Sequence, residues 1–364
     1  MFLSFMDDAI ASWPMAFRII LFLVALGVGV VFLVKFCDVF VDSASSIAKK
    51  AHISPMIIGL TIVAMGTSFP ELAVSSSDSI SALLESTAEN QVHANIAMAN
   101  VVGSNICNIL LVLGISIFFT PILVKKETLK RDYPFLIAAT VLFVIFGLLF
   151  GISGATGDYA ILRWEGIIFV VLMIGYIVYL VIDAKKHPTE VNEDEIKDIP
   201  LWKAIVFLII GGVGVFVGGE AVVFGAKGIS LAGANAIGID SNLAEKIIGL
   251  TVVAVGTSLP ELVTSAIAAK KGEVELALGN VIGSNLFNIL FVLGISSTIN
   301  PIIADSTIVL DLIFMLTITL LLFGISFTKK LDRKFGILFL SLYVLYVTYL
   351  VLRVILATQG IILP

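Results

Sequence analysis

Ten apolar runs, each long enough to cross a lipid bilayer, dominate this sequence of 364 residues. A hydrocarbon core of about 30 Å requires roughly 20 predominantly apolar residues in a helix. The runs begin near Phe17, Ile53, Ala94, Phe135, Ile161, Trp202, Ala244, Val274, Ile308 and Gly336. With 59% hydrophobic and 13% charged residues, a soluble domain of this length could not bury its apolar surface. The sequence therefore predicts an all-α membrane protein with ten transmembrane helices.

Basic residues alternate between the two ends of these runs, and the alternation predicts an orientation. Sixteen of the 22 lysines and arginines fall in the odd-numbered connections, at Lys49, Lys50, Lys125, Lys126, Lys130, Arg131, Lys185, Lys186, Lys197, Lys203, Lys270, Lys271, Lys329, Lys330, Arg333 and Lys334. Only five lie on the opposite side, and Lys35 lies within the first run. Because cytoplasmic loops carry the excess of basic residues, we expect both termini outside the cytoplasm in a multi-pass protein of the cell membrane.

Composition and cysteine content exclude other classes of protein. The formal net charge of −5 leaves no basic surface for nucleic acid. The two cysteines, Cys37 and Cys107, both lie within apolar runs, which favours packed thiols over a disulfide framework. We expect a lipid bilayer as the surroundings, with no cofactor and no obligate protein partner.

The sequence contains an internal duplication. Residues 59–71 read GLTIVAMGTSFPE and residues 249–261 read GLTVVAVGTSLPE, which share ten of thirteen positions. Residues 98–116 read MANVVGSNICNILLVLGIS and residues 278–296 read LGNVIGSNLFNILFVLGIS, which share thirteen of nineteen. The duplication divides the chain into a five-helix half at 1–183, a cytoplasmic linker at 184–200 and a second five-helix half at 201–364. Since each half has an odd number of spans, the halves are expected to have opposite orientations, as in transporters built from inverted repeats.

The first repeated element combines a helix break with a carboxylate. Pro70 has no amide hydrogen and clashes with the carbonyl four residues earlier, so carbonyls around Ala64 to Thr67 are predicted to lose their helical partners. Thr67 and Ser68 add hydroxyls and Glu71 adds a carboxylate; Thr257, Ser258 and Glu261 repeat this set around Pro260. Two ionised carboxylates near the membrane midplane would repel each other unless a cation lay between them. This set of hard oxygen ligands is suited to Ca²⁺ and Na⁺.

The second repeated element, GSNxxN, adds neutral oxygens. Ser104 and Asn108 lie four residues apart and therefore on one helix face, as do Ser284 and Asn288. Such residues also join neighbouring helices, so the element alone would be weak evidence of an ion site. Its recurrence beside both acidic motifs favours a role in binding.

At these two motifs the sequence resembles the cation/calcium exchanger superfamily, in particular its sodium/calcium exchanger branch. The resemblance covers nearly the whole chain and implies that inward movement of Na⁺ drives Ca²⁺ outward through one alternating-access site. It implies that Glu71 and Glu261 bridge the Ca²⁺ ion and also serve Na⁺. It further implies that oxygens come from Thr67, Ser68, Thr257, Ser258, Ser104 and Ser284 and from the carbonyls of Ala64 and Ala254, and that the first and sixth spans slide as a gate.

One position departs from the family pattern. Archaeal members of the branch carry an aspartate at the end of the second GSNxxN element, whereas this chain has Asn288 opposite Asn108. The site then has two carboxylates instead of three, which leaves the coupling ion and its stoichiometry open. A proton-coupled Ca²⁺ exchanger is the nearest alternative, although its family usually carries a GNxxE-type motif. An intramembrane hydrolase would need a base within a span, and a channel would not require paired acidic motifs.

Overall fold

The computed structural model describes residues 10, 12–86, 96–150, 159–187, 199–236, 248, 254–304 and 307–358. The first half contains α1 (Met15–Ala51), α2 (Pro55–Ile58 continued by Gly59–Val63 and Ala64–Thr67), α3 (Phe69–Glu85), α4 (Ile96–Cys107 continued by Asn108–Val112 and Leu113–Phe119), α5 (Thr128–Asp132 continued by Tyr133–Ile145 and Phe146–Phe150) and α6 (Arg163–Lys186). The second half contains α7 (Leu201–Ala236), α8 (Ala254–Thr257), α9 (Leu259–Lys270), α10 (Val274–Phe287 continued by Asn288–Val292 and Leu293–Ile299), α11 (Ile308–Ser326) and α12 (Arg333–Thr358).

Within the described residues, eight helices are long and apolar enough to span a membrane. The pair α2 and α3, bent by 48° at Ser68, makes a ninth candidate span. These helices confirm the predicted all-α membrane class. The remaining predicted run begins near Ala244, outside the described residues, and its later part forms α8 and α9.

Two boundaries differ from the sequence-based expectation. Helix α5 begins at Thr128 instead of near Phe135, because Asp132 is neutralised by Arg131 and accepts a hydrogen bond from Tyr176. A charged pair satisfied in this way can lie inside the first turns of a buried helix. Helix α6 continues to Lys186, three residues past the predicted end of the first half.

Four short strands connect the halves crosswise. Strand β1 (Ile122–Leu123) follows α4 and pairs antiparallel with β4 (Lys330–Leu331), which precedes α12. Strand β3 (Ile302–Ala304) follows α10 and pairs antiparallel with β2 (Tyr159–Ile161), which precedes α6. Each pair therefore joins the end of the third predicted span of one half to the start of the fifth predicted span of the other half.

Matching clusters anchor the outer helices in each half. Asp132 of α5 accepts a hydrogen bond from Tyr176 of α6 at 3.2 Å, and Tyr176 stacks on Phe135. In the second half Asp311 of α11 accepts from Tyr346 of α12 at 3.2 Å, and Tyr346 stacks on Phe314. Arg131 neutralises the first acid and Arg353 the second. These clusters hold α5 to α6 and α11 to α12 through buried, charge-assisted contacts.

The long helices α1 and α7 lie side by side and antiparallel. Gly29 packs on the backbone of Val222, Leu33 on Gly218, and Phe40 on Gly211. Glycines permit this close approach because a Cβ atom at Gly29 would lie 2.8 Å from the Val222 nitrogen. With 37 residues, α1 is about 55 Å long, longer than a hydrocarbon core, so it must tilt or project beyond it.

Helix α10 is almost wholly buried and packs parallel to α2 at the centre of the molecule. A Cβ atom at Gly59 would lie 2.6 Å from the Leu276 carbonyl oxygen, and one at Gly279 would lie 2.5 Å from that of Met56. A Cβ atom at Gly283 would lie 2.7 Å from atoms of both Leu60 and Ala64. This glycine seam brings α2 and its following break against the GSNxxN segment of α10.

The seam gives a stability prediction. We expect Gly283→Val to destabilise the protein by about 1–3 kcal/mol, because the added methyl groups overlap a backbone that cannot move freely. The measurement is the thermal unfolding midpoint in detergent. Gly175→Val is the matched control, since Gly175 is also within a helix but is exposed and a Cβ atom there meets nothing within 4 Å. Equal midpoints for the two variants would contradict the close packing of α2 on α10.

Candidate ion-binding site

Both acidic motifs lie at the same kind of helix break. Ser68 separates α2 from α3 with φ −87° and ψ 12°, and Ser258 separates α8 from α9 with φ −88° and ψ 6°. In each case the proline is the second residue of the following helix, a position whose amide would have no acceptor within that helix. Glu71 and Glu261 consequently lie in the first turn of α3 and α9, where the positive end of the helix dipole stabilises a carboxylate.

The predicted effect of the break on Ala64 is wrong in one respect. The Ala64 carbonyl keeps a helical partner, because it accepts a hydrogen bond from the Ser68 amide at 3.0 Å. The carbonyl that Pro70 deprives of a donor is that of Gly66, four residues earlier. Ala64 can still contribute to binding through the second lone pair of its carbonyl oxygen. Ala254 begins α8 in the corresponding place.

Glu71 and Glu261 are both fully buried. Each carboxylate lies close to the helix break of the other half. Ser68 donates a hydrogen bond to Oε1 of Glu261 at 2.8 Å, across the boundary between the halves. Ser104 of α4 donates to Oε1 of Glu71 at 3.5 Å. Among the described residues, the Oε2 atoms of both carboxylates have no hydrogen-bond partner, and neither carboxylate forms an ion pair. Two buried carboxylates thus remain without a neutralising side chain in the part of the chain that the structure describes.

Thr67 lies within a cluster of oxygens. Its Oγ1 atom lies 3.3 Å from the Ala64 carbonyl oxygen, 3.2 Å from Oδ1 of Asn280 and 3.4 Å from Oγ of Ser284. The Thr67 hydroxyl can donate to the Ala64 carbonyl or to Oδ1 of Asn280 but not fully to both, and in its contact with Ser284 either hydroxyl can donate. Carbonyl, amide and hydroxyl oxygens gathered in this way are ligands that a hard cation such as Ca²⁺ accepts.

The paired asparagines have unequal surroundings. Asn288 donates from Nδ2 to Oδ1 of Asn105 at 3.3 Å, and its own Oδ1 has no partner among the described residues. Neither amide atom of Asn108 has a partner among them. Both side chains are buried and begin matching π-helical segments, Asn108–Val112 and Asn288–Val292. The asparagines therefore present amide oxygens that nothing else in the described protein occupies.

A second symmetric pair was missed by the sequence analysis. Asn100 donates to Ser75 at 3.0 Å, and Asn280 donates to Ser265 at 2.9 Å. Both asparagines lie in the duplicated stretches of 98–116 and 278–296, and both serines lie four residues after the motif glutamate. The sequence signal that could have identified them is that the same residue types, asparagine and serine, stand at equivalent positions of the two copies. These bonds fix the helix carrying each glutamate, α3 or α9, against the helix carrying the neighbouring GSNxxN element, α4 or α10.

The structure thus brings most of the predicted ligands into one buried region. Contacts of 3.5 Å or less pair Thr67 with Ser284, Ser68 with Glu261 and Ser104 with Glu71. Asn108, Ser258 and Asn288 are also buried. Thr257 is 8% exposed, in contrast to 0% for its counterpart Thr67. No group of three or more His, Cys, Asp or Glu side chains forms a metal site in the described ranges. A cation bound here would therefore depend on two carboxylates supplemented by hydroxyl, amide and carbonyl oxygens.

Comparison with known proteins agrees with this chemistry. The sodium/calcium exchanger protein family matches residues 21–182 and 203–352, one block in each half. The chain is 38% identical to the membrane protein MJ0091 of Methanocaldococcus jannaschii, covering 88% of this chain and 95% of the relative. It is 33% identical to the sodium/calcium exchanger MaX1 of Methanosarcina acetivorans, covering 88% and 96%.

A solved structure of the sodium-calcium exchanger NCX_Mj has the same fold. Its TM-score with this chain is 0.71 at 35% sequence identity, over 91% of this chain and 99% of that one. The residues that match the sodium/calcium exchanger protein family include both helix breaks and both GSNxxN elements. The chain therefore belongs to the sodium/calcium exchanger family of multi-pass membrane antiporters, which transport ions and are not enzymes.

Proposed function

We propose that this protein is a secondary active antiporter that uses the inward movement of Na⁺ to expel Ca²⁺. The observation that carries the proposal is the pair of fully buried carboxylates, Glu71 and Glu261, contributed by different halves of the chain. Each has an oxygen without a partner among the described residues. Burying an uncompensated charge costs several kcal/mol, and a transported cation removes that cost when it binds.

Competition for one set of oxygens would couple the two ions. In the proposed site a Ca²⁺ ion lies between Glu71 and Glu261, and Na⁺ ions occupy the same oxygens when Ca²⁺ is absent. The neutral ligands come from Thr67, Ser68, Ser104, Asn108, Thr257, Ser258, Ser284 and Asn288, with the carbonyls of Ala64 and Ala254. Since either ion neutralises the same carboxylates, the loaded forms can cross and the unloaded form is disfavoured.

Alternating access would follow from two halves of opposite orientation. The antiparallel packing of α1 on α7 and the parallel packing of α2 on α10 support this arrangement, because a ten-span inverted repeat requires both. We infer that both termini are extracytoplasmic and that the first and sixth spans, α1 and α7, move as a gate. The cytoplasmic end of α1 contacts the end of α9 through ion pairs of Lys271 with Asp38 and Asp42.

The coupling ion is tested by flux measurements. We expect purified protein in Na⁺-loaded proteoliposomes to accumulate radiolabelled Ca²⁺ when diluted into Na⁺-free buffer, because outward Na⁺ movement drives Ca²⁺ uptake. Vesicles without a Na⁺ gradient are the control. Uptake that ignores Na⁺ and follows an imposed pH gradient would instead show proton-coupled Ca²⁺ exchange.

Replacement of either central carboxylate should abolish exchange. We expect Glu71→Gln and Glu261→Gln each to reduce Ca²⁺ flux more than about tenfold, because half of the countercharge for a divalent ion is lost. The matched control is Glu165→Gln, a buried acid that caps α6 by accepting from the Leu162 amide at 2.7 Å. Its amide oxygen can still accept that bond, so flux should persist. Near-normal flux in Glu71→Gln or Glu261→Gln would exclude this site.

Asn288 offers a test of stoichiometry. We expect Asn288→Asp to make exchange depend more steeply on Na⁺ concentration and to increase inhibition by protons, because a third carboxylate attracts both ions. Initial rates measured against Na⁺ concentration at several pH values provide the readout. Curves that superimpose on those of the unaltered protein would show that this position does not set the coupling.

A further inference from the structure

A small cavity adjoins the ion-binding site on one side. Its volume is about 30 Å³, enough for a single water molecule or ion. Its lining includes Glu220 of α7, Thr257 of the second break, and both break prolines, Pro70 and Pro260. The cavity therefore places a carboxylate outside the predicted ligand set next to a predicted ligand.

The cavity lies on the extracytoplasmic side of the site in the proposed orientation. Val74 lies past Pro70 along α3, which runs away from the cytoplasm, and Val223 lies in the outer half of α7. Gly256 precedes Pro260 on a span that enters from outside. Consistent with this opening, Thr257 is 8% exposed, whereas its counterpart Thr67 is fully buried.

A residue equivalent to Glu220 lies on α1. Helix α1 contacts α7 at two places, Gly29 with Val222 and Phe40 with Gly211. Adding 182 to the α1 residue number of one contact gives the α7 residue number of the other, so the two contacts are equivalent. The same offset relates Asp38 to Glu220. Asp38 forms an ion pair with Lys271 at 2.6 Å, and Glu220 lines the cavity.

We propose that Glu220 is a positioning residue that recruits cations to the external mouth of the ion-binding site and passes them to Thr257 and the two glutamates. This inference rests on the proposed function and names a subsite on its access path. A carboxylate in a low-dielectric cleft raises the local concentration of cations without contacting the ion in its final position. Glu220 should consequently govern apparent affinity and leave the maximal rate unchanged.

The test separates affinity from rate. We expect Glu220→Gln to raise the Ca²⁺ concentration for half-maximal Na⁺-dependent uptake about three- to tenfold with an unchanged maximal rate. Glu220→Asp, which keeps the charge, should stay close to the unaltered protein. The difference between Glu220→Gln and the unaltered protein should shrink when inert salt is added, because salt screens the attraction.

A charge-restoration experiment adds a readout that a structural role would not give. In Glu220→Cys, a negatively charged methanethiosulfonate reagent added outside should lower the half-maximal Ca²⁺ concentration, and a positively charged one should raise it. The unaltered protein is the control, since its cysteines Cys37 and Cys107 are both buried.

Three results would overturn the proposal: an unchanged half-maximal concentration in Glu220→Gln, a loss of maximal rate together with thermal stability, or equal effects of the two reagents. Absence of Na⁺-dependent uptake by the unaltered protein would overturn the proposed function itself. An active unaltered protein with an unaffected Glu220→Gln variant would overturn only the role of Glu220.

Discussion

The rest of the structure depends on one constraint, which is that the carboxylates of Glu71 and Glu261 lie near each other in the interior of a membrane protein. Ser68 of one half donates to Glu261 of the other at 2.8 Å, so the two breaks cannot separate without losing a buried, charge-assisted bond. Hydroxyls alone cannot compensate two negative charges, and no basic side chain pairs with either one in the described part of the chain. In the proposed function, binding of a cation stabilises this centre and thereby links ion occupancy to conformation.

The backbone supports this centre by two devices that depend on small or special residues. Proline after each break begins a new helix and places the glutamate in its first turn. Glycines at 59, 279 and 283 allow α2 and α10 to approach closely enough for Thr67 to reach Asn280 and Ser284. Larger side chains at these glycines would separate Thr67 from Ser284 and would enlarge the oxygen cluster beyond what one cation can contact.

Much of the fold and the location of the candidate site could be predicted because both are encoded in local patterns. Apolar runs identify spans whatever their partners, and a duplicated motif identifies candidate ligands because two copies rarely retain the same polar residues by chance. The start of α5 was misplaced because Asp132 and Arg131 look like loop residues until Tyr176 and Asp183 are known to contact them. The Ala64 carbonyl was misjudged because Pro70 lies six residues away and removes the helical donor only of the Gly66 carbonyl, while the Ser68 amide still donates to Ala64. The bonds from Asn100 to Ser75 and from Asn280 to Ser265 join separate helices, and their geometry follows only from tertiary packing.

A symmetric sequence here gives an asymmetric structure, and the asymmetry is informative about the proposed cycle. Lys271 forms ion pairs with Asp38 and Asp42 of α1, but the position equivalent to Lys271 in the first half is Ser81, which carries no charge. In the proposed orientation these ion pairs lie on the cytoplasmic side, and the first half offers no equivalent lysine. Because Asp38 is 49% exposed, such pairs contribute at most about 1 kcal/mol each, which shifts a two-state population by roughly fivefold. In the proposed cycle a bias of that size would favour the state in which these ion pairs are formed, yet it is small enough for the binding energy of a cation between two buried carboxylates to overcome.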